Sequence, residues 1–149
     1  MANERTLVLC KPDAVQRGFV GHIISRFESK GFKIAGMKML HIDEALAARH
    51  YQEHVEKPFY PTLREFITSS PVIALAIEGD NAVDVVRGLM GTTNPQKAAA
   101  GTIRGDLGIN FTKNLVHGSD SAASAEREIS LFFDESELHD YARSIEEWL

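Results

Sequence analysis

A single histidine separates a strand-like run from a helix-like run in the segment NLVHGSDSAASAEREI, residues 114–129. Ser119 follows His117 two positions later, and Glu128 lies further along the helix-like part. A neutral imidazole is a competent nucleophile when a neighbouring acceptor fixes its tautomer. Taken alone, however, the segment favours a polar residue in a turn, because short motifs match by chance.

Three cations form a second candidate set. Lys11 ends the first apolar run, Arg87 precedes a long loop, and Arg104 lies within that loop. Hydroxyl and amide side chains of the same loop are Thr93, Asn94 and Thr102. Arginine can bind two phosphate oxygens at once, so the set suits a polyphosphate, although three solvated surface cations give the same pattern. Neither common glycine-rich phosphate-binding sequence is present, so a nucleotide would require another geometry.

The segment HYQEH, residues 50–54, matches the H-x-x-E-H pattern of a zinc protease. On a helix, both histidines would lie on one face, but a zinc site would still need a third ligand from elsewhere in the chain. Two histidines and a glutamate arise readily on a charged helix without metal. An ordinary amphipathic helix is therefore the favoured interpretation.

Composition argues against several classes of protein. The 149 residues are 44% hydrophobic and 25% charged, which predicts one ordinary globular domain over residues 1–149. The net charge of −5 argues against nucleic-acid binding over a whole surface. The single cysteine, Cys10, excludes an internal disulfide and is expected to be buried. No apolar run approaches the ~18 residues of a membrane span, and MANERT at residues 1–6 does not resemble a signal peptide, so a cytosolic protein is expected.

Apolar periodicity predicts the elements that must position these side chains. Strands are predicted at residues 5–11, 32–40, 72–77 and 114–118. Helices are predicted at residues 20–31, 43–54, 63–69, 81–91 and 121–133, with Asp43, a Thr62–Glu65 capping box and Asn81 as N-terminal caps and Gly31 as a stop. The alternation indicates a sheet covered by helices, and leaves open a parallel doubly wound sheet or a split antiparallel one. The loop at residues 91–111 is long enough to be functional or disordered.

The chain resembles the nucleoside diphosphate kinases over essentially its whole length. The matching stretches are ERTLVLCKPDAVQRG, HYQEHVEKPFY, GTTNP, AAGTIRGD and NLVHGSDSAASAEREI. Several spaced motifs in one order are far more specific than any one of them. The resemblance makes HYQEH the family's helix segment before a base-binding phenylalanine, which removes the appeal of the zinc interpretation.

The resemblance implies a ferredoxin-like α/β (α+β) sandwich, β-α-β-β-α-β, with a four-stranded antiparallel sheet covered by helices. It implies transfer of the γ-phosphoryl group from a nucleoside triphosphate such as ATP or GTP to a nucleoside diphosphate. The transfer would be ping-pong, through a phosphohistidine on His117. It would require Mg²⁺ held mainly through the nucleotide phosphates, with no metal ligand from protein side chains.

The resemblance also implies a role for individual residues. Four of them would act around His117: Lys11, Tyr51, and the orienting pair Ser119 and Glu128. Nucleotide-binding residues would be Lys11, Arg87, Thr93 and Arg104 for the phosphates, Lys11 and Asn114 for the ribose, and Phe59 beside Leu63 for the base. Because neither base-contacting side chain forms conventional hydrogen bonds, little base specificity is expected.

Two features depart from the family pattern. Phe111 occupies a loop position near the base that is more often aliphatic in relatives, which predicts a tighter base slot. The tail EEWL resembles longer-tailed relatives that assemble as hexamers built from dimers, so a homohexamer is expected, with a tetramer as the alternative. A catalytically silent binding module is the competing functional class, and the intact set of His117, Glu128 and cations argues against it.

Overall fold

The computed structural model describes residues 3–149, so the first two residues of the MANERT segment lie outside the described part. The strands are β1 (Asn3–Cys10), β2 (Lys33–Leu40), β3 (Val72–Asp80) and β4 (Val116–Gly118). The α-helices are α1 (Pro12–Gln16), α2 (Val20–Lys30), α3 (Glu44–His50), α4 (Tyr60–Ile67), α5 (Ala82–Met90), α6 (Ile103–Leu107) and α7 (Ala122–Phe132). Short 3₁₀-helices lie at Pro95–Lys97, Glu135–Glu137 and Glu146–Trp148. No helix among residues 3–149 is long and apolar enough to cross a membrane.

The four strands form one sheet in the order β2-β3-β1-β4, and all three pairings are antiparallel. This order confirms the ferredoxin-like α+β sandwich and excludes the parallel doubly wound alternative. In the ladder between β1 and β4, Leu9 is paired with His117. The central strand β1 therefore brings its carboxyl end, followed by Lys11, next to the strand that carries the candidate nucleophile.

Helices cover both faces of the sheet, because successive residues of β1 point to opposite sides. Val8 and Cys10 are fully buried with side chains of α2 and α5, which confirms the expected burial of Cys10. Leu7 and Leu9 are fully buried on the other face, with side chains of α3, α4 and α7. Burial on both faces makes β1 a rigid support for the residues that follow it.

Two predicted helix ends are confirmed. Gly31 ends α2 in the left-handed conformation, with φ of 110°, which glycine adopts without steric cost. The Asp43 side chain accepts a hydrogen bond from the backbone N–H of Leu46 at the start of α3. The predicted extent of this helix, residues 43–54, is wrong, because α3 ends at His50 and turns follow it.

The predicted capping box is wrong, and the Asn81 cap is confirmed in its position only. The capping box at Thr62 is absent, because α4 already begins at Tyr60 and includes Pro61 in its first turn. Proline is tolerated there, since the backbone N–H groups of the first turn have no partner within the helix. Asn81 does occupy the N-cap position of α5, but its backbone is left-handed and its side chain caps no N–H. At the start of α5, the backbone N–H of Val83 instead donates to Oε1 of Glu4 on β1 at 3.3 Å.

The remaining differences concern short elements. The segment 91–111 is not a structureless loop, since it contains the 3₁₀-helix Pro95–Lys97 and the helix α6. The short helix α1 was not predicted, and β1 ends one residue before Lys11 because Pro12 opens that helix. The fourth strand was expected from residue 114 but begins at Val116, because Leu115 has a φ of 75°.

Candidate active site

Two adjoining clefts lie where β1 ends and β4 begins. The His117 cleft has a volume of about 300 Å³, and the Phe59 cleft about 350 Å³. The clefts are continuous, because Lys11, Thr93 and Asn114 line both. Further predicted site residues line the first cleft (Tyr51, Arg87, Arg104, Glu128) or the second (Leu63).

His117 is oriented by a buried carboxylate. Its Nε2 lies 2.7 Å from Oε1 of Glu128, and the Ser119 hydroxyl donates to the same oxygen at 2.9 Å. Because that carboxylate oxygen is an acceptor, Nε2 of His117 carries the hydrogen and the lone pair remains on Nδ1. Sequence spacing alone did not predict the contact, which exists because α7 packs back against β1.

The backbone just before His117 adopts a strained conformation that two hydrogen bonds hold in place. Leu115 has a φ of 75°, a conformation that costs a residue other than glycine roughly 1–3 kcal/mol. Its N–H donates to Oδ2 of Asp13 at 3.0 Å, and its carbonyl accepts from the backbone N–H of Lys11 at 2.9 Å. The segment after β1 thus fixes the turn from which β4 starts, and Asp13 is a residue that the sequence reasoning missed.

Lys11 reaches the cleft from a buried position. Its ammonium donates to Oδ1 of Asn114 at 2.8 Å, and the Asn114 amide donates to the Thr93 carbonyl at 3.1 Å. Burial, assisted by the positive charge of Arg104, lowers the pKa of Lys11 to about 8, while Asp13 acts in the opposite direction. A bound anion would restore the charged form of this lysine.

Two arginines line the same cleft from different elements. Arg104 lies on α6 and not in an irregular loop; it is buried and donates to the backbone carbonyls of Gly91, Asn114 and Val116 at 2.9, 3.2 and 2.6 Å. Arg87 on α5 donates to the carbonyl of Gly118 at 3.2 Å. Burial, together with the charge of Arg87, lowers the pKa of Arg104 to about 10.

The three cations have no carboxylate ion-pair partner within the described part of the chain. The ion pairs there involve other arginine and lysine side chains. Lys11 and Arg104 are buried, whereas Arg87 is exposed, and a buried cation without a charge partner is costly unless a ligand compensates it. Lys11, Arg87 and Arg104 line the same cleft as His117 and together form a cation wall.

Two aromatic residues from the end of α3 flank His117. The rings of His50 and His117 meet edge to face, with centroids 4.6 Å apart. Burial and the neighbouring His117 lower the pKa of His50 to about 2, so His50 is neutral at pH 7. Tyr51 packs against His50 at 4.5 Å, and burial raises the pKa of its hydroxyl, with the Glu128 charge adding to the effect.

The segment HYQEH does not continue as the helix predicted over residues 43–54, because α3 ends at His50 and turns follow it. His54 lies beyond that end and packs against Phe59, with ring centroids 5.4 Å apart. His50 was seen in the sequence only as part of this pattern. Its position beside His117 had no signal in the spacing, since the two residues lie 67 positions apart.

The Phe59 cleft exposes two aromatic side chains, and polar side chains (Lys11, Thr62, Thr93, Thr112 and Asn114) line it as well. The side chains of Phe59 and Phe111 are 51% and 61% exposed, and Leu63 is half-buried. Among residues 3–149, the aromatic and cation–π neighbours of the Phe59 ring are His54 and Lys57, with the Lys57 ammonium 5.7 Å from its centroid. An exposed aromatic face of this kind can stack a planar ligand.

Comparisons with known proteins agree with one another. The sequence model described as nucleoside diphosphate kinase matches residues 4–138. The chain is 51% identical over 146 residues to the nucleoside diphosphate kinase of Bacillus cereus, covering 98% of this chain and 99% of that protein. It is 56% identical to the enzyme of that name from Pelotomaculum thermopropionicum, covering 98% of each chain. Among solved structures, the nucleoside diphosphate kinase of Halobacterium salinarum in complex with CDP superposes with a TM-score of 0.96, at 52% identity, covering 99% of this chain and 98% of the other.

Proposed function

The chain belongs to the nucleoside diphosphate kinase family, whose general function is phosphoryl transfer between nucleotides, and we propose that it works through a phosphohistidine on His117. The observation that carries the proposal is the 2.7 Å contact between Nε2 of His117 and Glu128. It leaves the Nδ1 lone pair as the nucleophile. We expect one catalytic domain spanning residues 1–149.

Two balanced displacements complete the reaction. In the first, Nδ1 of His117 forms a bond to the γ-phosphorus of a nucleoside triphosphate, and the bond from phosphorus to the β–γ bridging oxygen breaks. The nucleoside diphosphate leaves with that electron pair. In the second, a terminal phosphate oxygen of another nucleoside diphosphate attacks the phosphohistidine, and the P–N bond returns its electrons to His117.

The cations of the cleft are assigned to the phosphates. Lys11, Arg87 and Arg104 lack carboxylate partners among residues 3–149, so their charge is available to neutralise the oxygens of the transition state. The remaining nucleotide contacts in this proposal are Thr93 to the phosphates, Lys11 and Asn114 to the ribose hydroxyls, and Phe59 with Leu63 to the base. Tyr51, beside His50, would help to close the cleft around His117.

The cleft fits an ion that is held through the nucleotide. Nucleotide kinases of this family generally require a divalent metal, and we propose Mg²⁺. Mg²⁺ prefers phosphate oxygens and water to a protein cage. The cleft agrees with this preference, because Lys11, Arg87 and Arg104 suit the phosphates through which the ion would be held. When bound, the ion would neutralise phosphate charge; the chain's own residues supply the nucleophile and the positioning.

The assembly and the cellular context are part of the proposal. We expect a homohexamer built from dimers, with a tetramer as the alternative, acting in the cytoplasm and requiring neither nucleic acid nor a membrane. Light scattering measures the assembly directly, since one protomer has a mass of 16.5 kDa. A scattering mass near that of one protomer would refute any oligomer.

The decisive experiment is covalent labelling. Incubation with γ-labelled ATP is expected to give a protein-bound label that is lost in acid, survives alkali and is removed by an unlabelled nucleoside diphosphate. His117→Ala should lose labelling and turnover, whereas His54→Ala, a histidine of the same cleft that does not contact Glu128, should keep the label.

Two results would contradict the proposal. One is a label that persists in His117→Ala, and the other is intersecting rather than parallel initial-rate lines. A protein that binds nucleotides but is never labelled would instead be the catalytically silent relative considered above.

A further inference from the structure

His50 is a buried side chain to which the proposed phosphoryl transfer gives no task. Only 4% of its surface is exposed, and neither ring nitrogen has a hydrogen-bond partner among the described residues. Buried polar atoms are nearly always partnered, so an exception requires an explanation, such as a ligand or an ion. The ring also lines the His117 cleft, where such a ligand would be.

His50 belongs to a group of three potential metal ligands. One ring nitrogen of His50, one of His117 and one carboxylate oxygen of Glu128 all lie within 4.8 Å of one another. It is the one group of at least three histidine, cysteine or acidic ligands within residues 3–149. Ligands of a four-coordinate zinc ion lie about 3.3 Å apart, given bonds of about 2.0–2.1 Å, so shifts of about an ångström would complete the site.

We propose that His50, His117 and Glu128 form a binding site for a transition-metal ion of the zinc class, with its fourth position open to the cleft. Two neutral imidazoles and one carboxylate are a ligand set that Zn²⁺ uses, whereas Mg²⁺ selects oxygen ligands. The H-x-x-E-H motif thus contributes one ligand, His50, to a site completed by α7 and β4 rather than by His54.

The surrounding charges limit the affinity of this site. Arg127 lies 3.7 Å from Oε2 of Glu128, and the Lys11 charge also acts on the His50 ring. These cations oppose a divalent ion and would favour its displacement by a nucleotide or by phosphate on His117. Removing the Arg127 charge should consequently tighten metal binding.

Occupancy has a functional consequence that rests on the proposed function. A metal ion on His117 and Glu128 removes both the nucleophile and its orienting partner, so Zn²⁺ should inhibit phosphoryl transfer and excess Mg²⁺ should not relieve the inhibition. Nothing in the metal-binding measurement depends on this step. Failure of the metal site and failure of the phosphohistidine can therefore be told apart.

The test is direct Zn²⁺ binding by the whole protein without nucleotide, measured in competition with a chromophoric chelator. We expect one ion per chain, and at least about tenfold weaker binding in His50→Gln, since loss even of an outer-shell partner costs that much. The matched control His54→Gln should stay within about twofold of wild type. Co²⁺ in place of Zn²⁺ should give visible absorption bands that His50→Gln loses.

A second measurement locates the bound ion in the unsubstituted protein, so it does not depend on whether His50→Gln folds. Crystals of the unsubstituted protein soaked in Zn²⁺ should show an anomalous peak between His50, His117 and Glu128. Equal Zn²⁺ affinity in wild type and His50→Gln, equal losses in both variants, or a peak only at other residues would overturn the proposal.

Discussion

The two ends of the cleft are built by different physics. At the His117 end, Glu128 and Ser119 are almost fully buried, and hydrogen bonds of 2.7 and 2.9 Å converge on one carboxylate oxygen. At the other end, Phe59 and Phe111 are more than half exposed and have no polar atoms in their side chains. The first end holds the His117 ring in one orientation, and the second exposes two aromatic side chains.

Under the proposed function, this difference predicts a site that is strict in its chemistry and permissive toward the base. Discrimination between bases requires buried polar groups that the wrong base leaves unpaired. Of the five polar residues that line the Phe59 cleft, Lys11, Thr93 and Asn114 also line the His117 cleft, and the proposed function assigns them to the phosphates and the ribose. The other two are Thr62 and Thr112. Stacking on Phe59 works for any base, because every base has a π-face.

The largest expected effect comes from the rigid end. Glu128→Gln keeps the shape of the side chain but weakens its charge-assisted bond to His117, so we expect kcat to fall about 10–100-fold. Nucleotide affinity should be nearly unchanged, because the cation wall is intact. Single-turnover rates and equilibrium binding of ADP measure the two quantities separately.

Glu126→Gln is the matched control, since Glu126 is an exposed glutamate on the same helix. It should behave as wild type. If Glu128→Gln mainly weakened ADP binding, Glu128 would have a structural role and the contrast between the two ends would fail.

The fold was predictable in outline because its central strands are almost wholly apolar and its helices are periodic. Residues 5–11 and 72–77 signalled β1 and β3 by composition alone, but that composition left the direction of pairing open. The antiparallel order became an expectation only through family resemblance. Residues that face each other on neighbouring strands, such as Leu9 and His117, are brought together by the topology of the sheet, which no local sequence pattern encodes.

The site residues were predictable by type, and their mutual geometry was not. Leu115 had no sequence signal for a left-handed backbone, since that conformation is stabilised by Asp13 from 102 positions away. The same limit applies to His50, whose contact with His117 depends on where α3 ends. Local propensity predicted a longer helix there, and tertiary packing overrode it.

The second prediction is that the affinity for ADP depends on pH through Lys11, a member of the cation wall. The pKa of Lys11 is lowered to about 8 in the free protein, mainly by burial, and bound phosphate would raise it. Below pH 8 the lysine is charged with or without nucleotide, whereas above pH 8 binding must take up a proton. The affinity for ADP should therefore fall about tenfold as the pH rises from 7 to 9.

Lys11→Gln should bind ADP more weakly at pH 7 and lose this pH dependence. Titration calorimetry in buffers of different ionisation enthalpy would count the protons taken up. An unchanged slope in Lys11→Gln would assign the titration to another group.

The third prediction concerns the exposed end. Stacking is worth about 1–3 kcal/mol per base, and the half-exposed position of Phe59 places it at the lower limit, so Phe59→Ala should raise KM about fivefold. The increase should be similar for ADP, GDP, CDP and UDP, with kcat nearly unchanged.

In the unsubstituted enzyme, kcat/KM for the four acceptors should agree within about a hundredfold. A preference above a thousandfold for one base would reveal a polar group that recognises it.

The smallest expected effect comes from Phe111, and it tests whether the open cleft has one stacking wall or two. Phe111 lines the same cleft as Phe59 and is more exposed, at 61% against 51%. A second aromatic contact is worth about 0.5 kcal/mol at such an exposed position, so Phe111→Val should raise KM about twofold and leave kcat unchanged.

Purine diphosphates should lose more affinity than pyrimidine diphosphates, because their larger rings overlap a second aromatic side chain more fully. Steady-state kinetics with GDP and CDP, alone and in the Phe59→Ala background, would separate the two walls. If Phe111→Val changed kcat, or lowered KM by widening a crowded slot, Phe111 would restrict the base rather than stack on it.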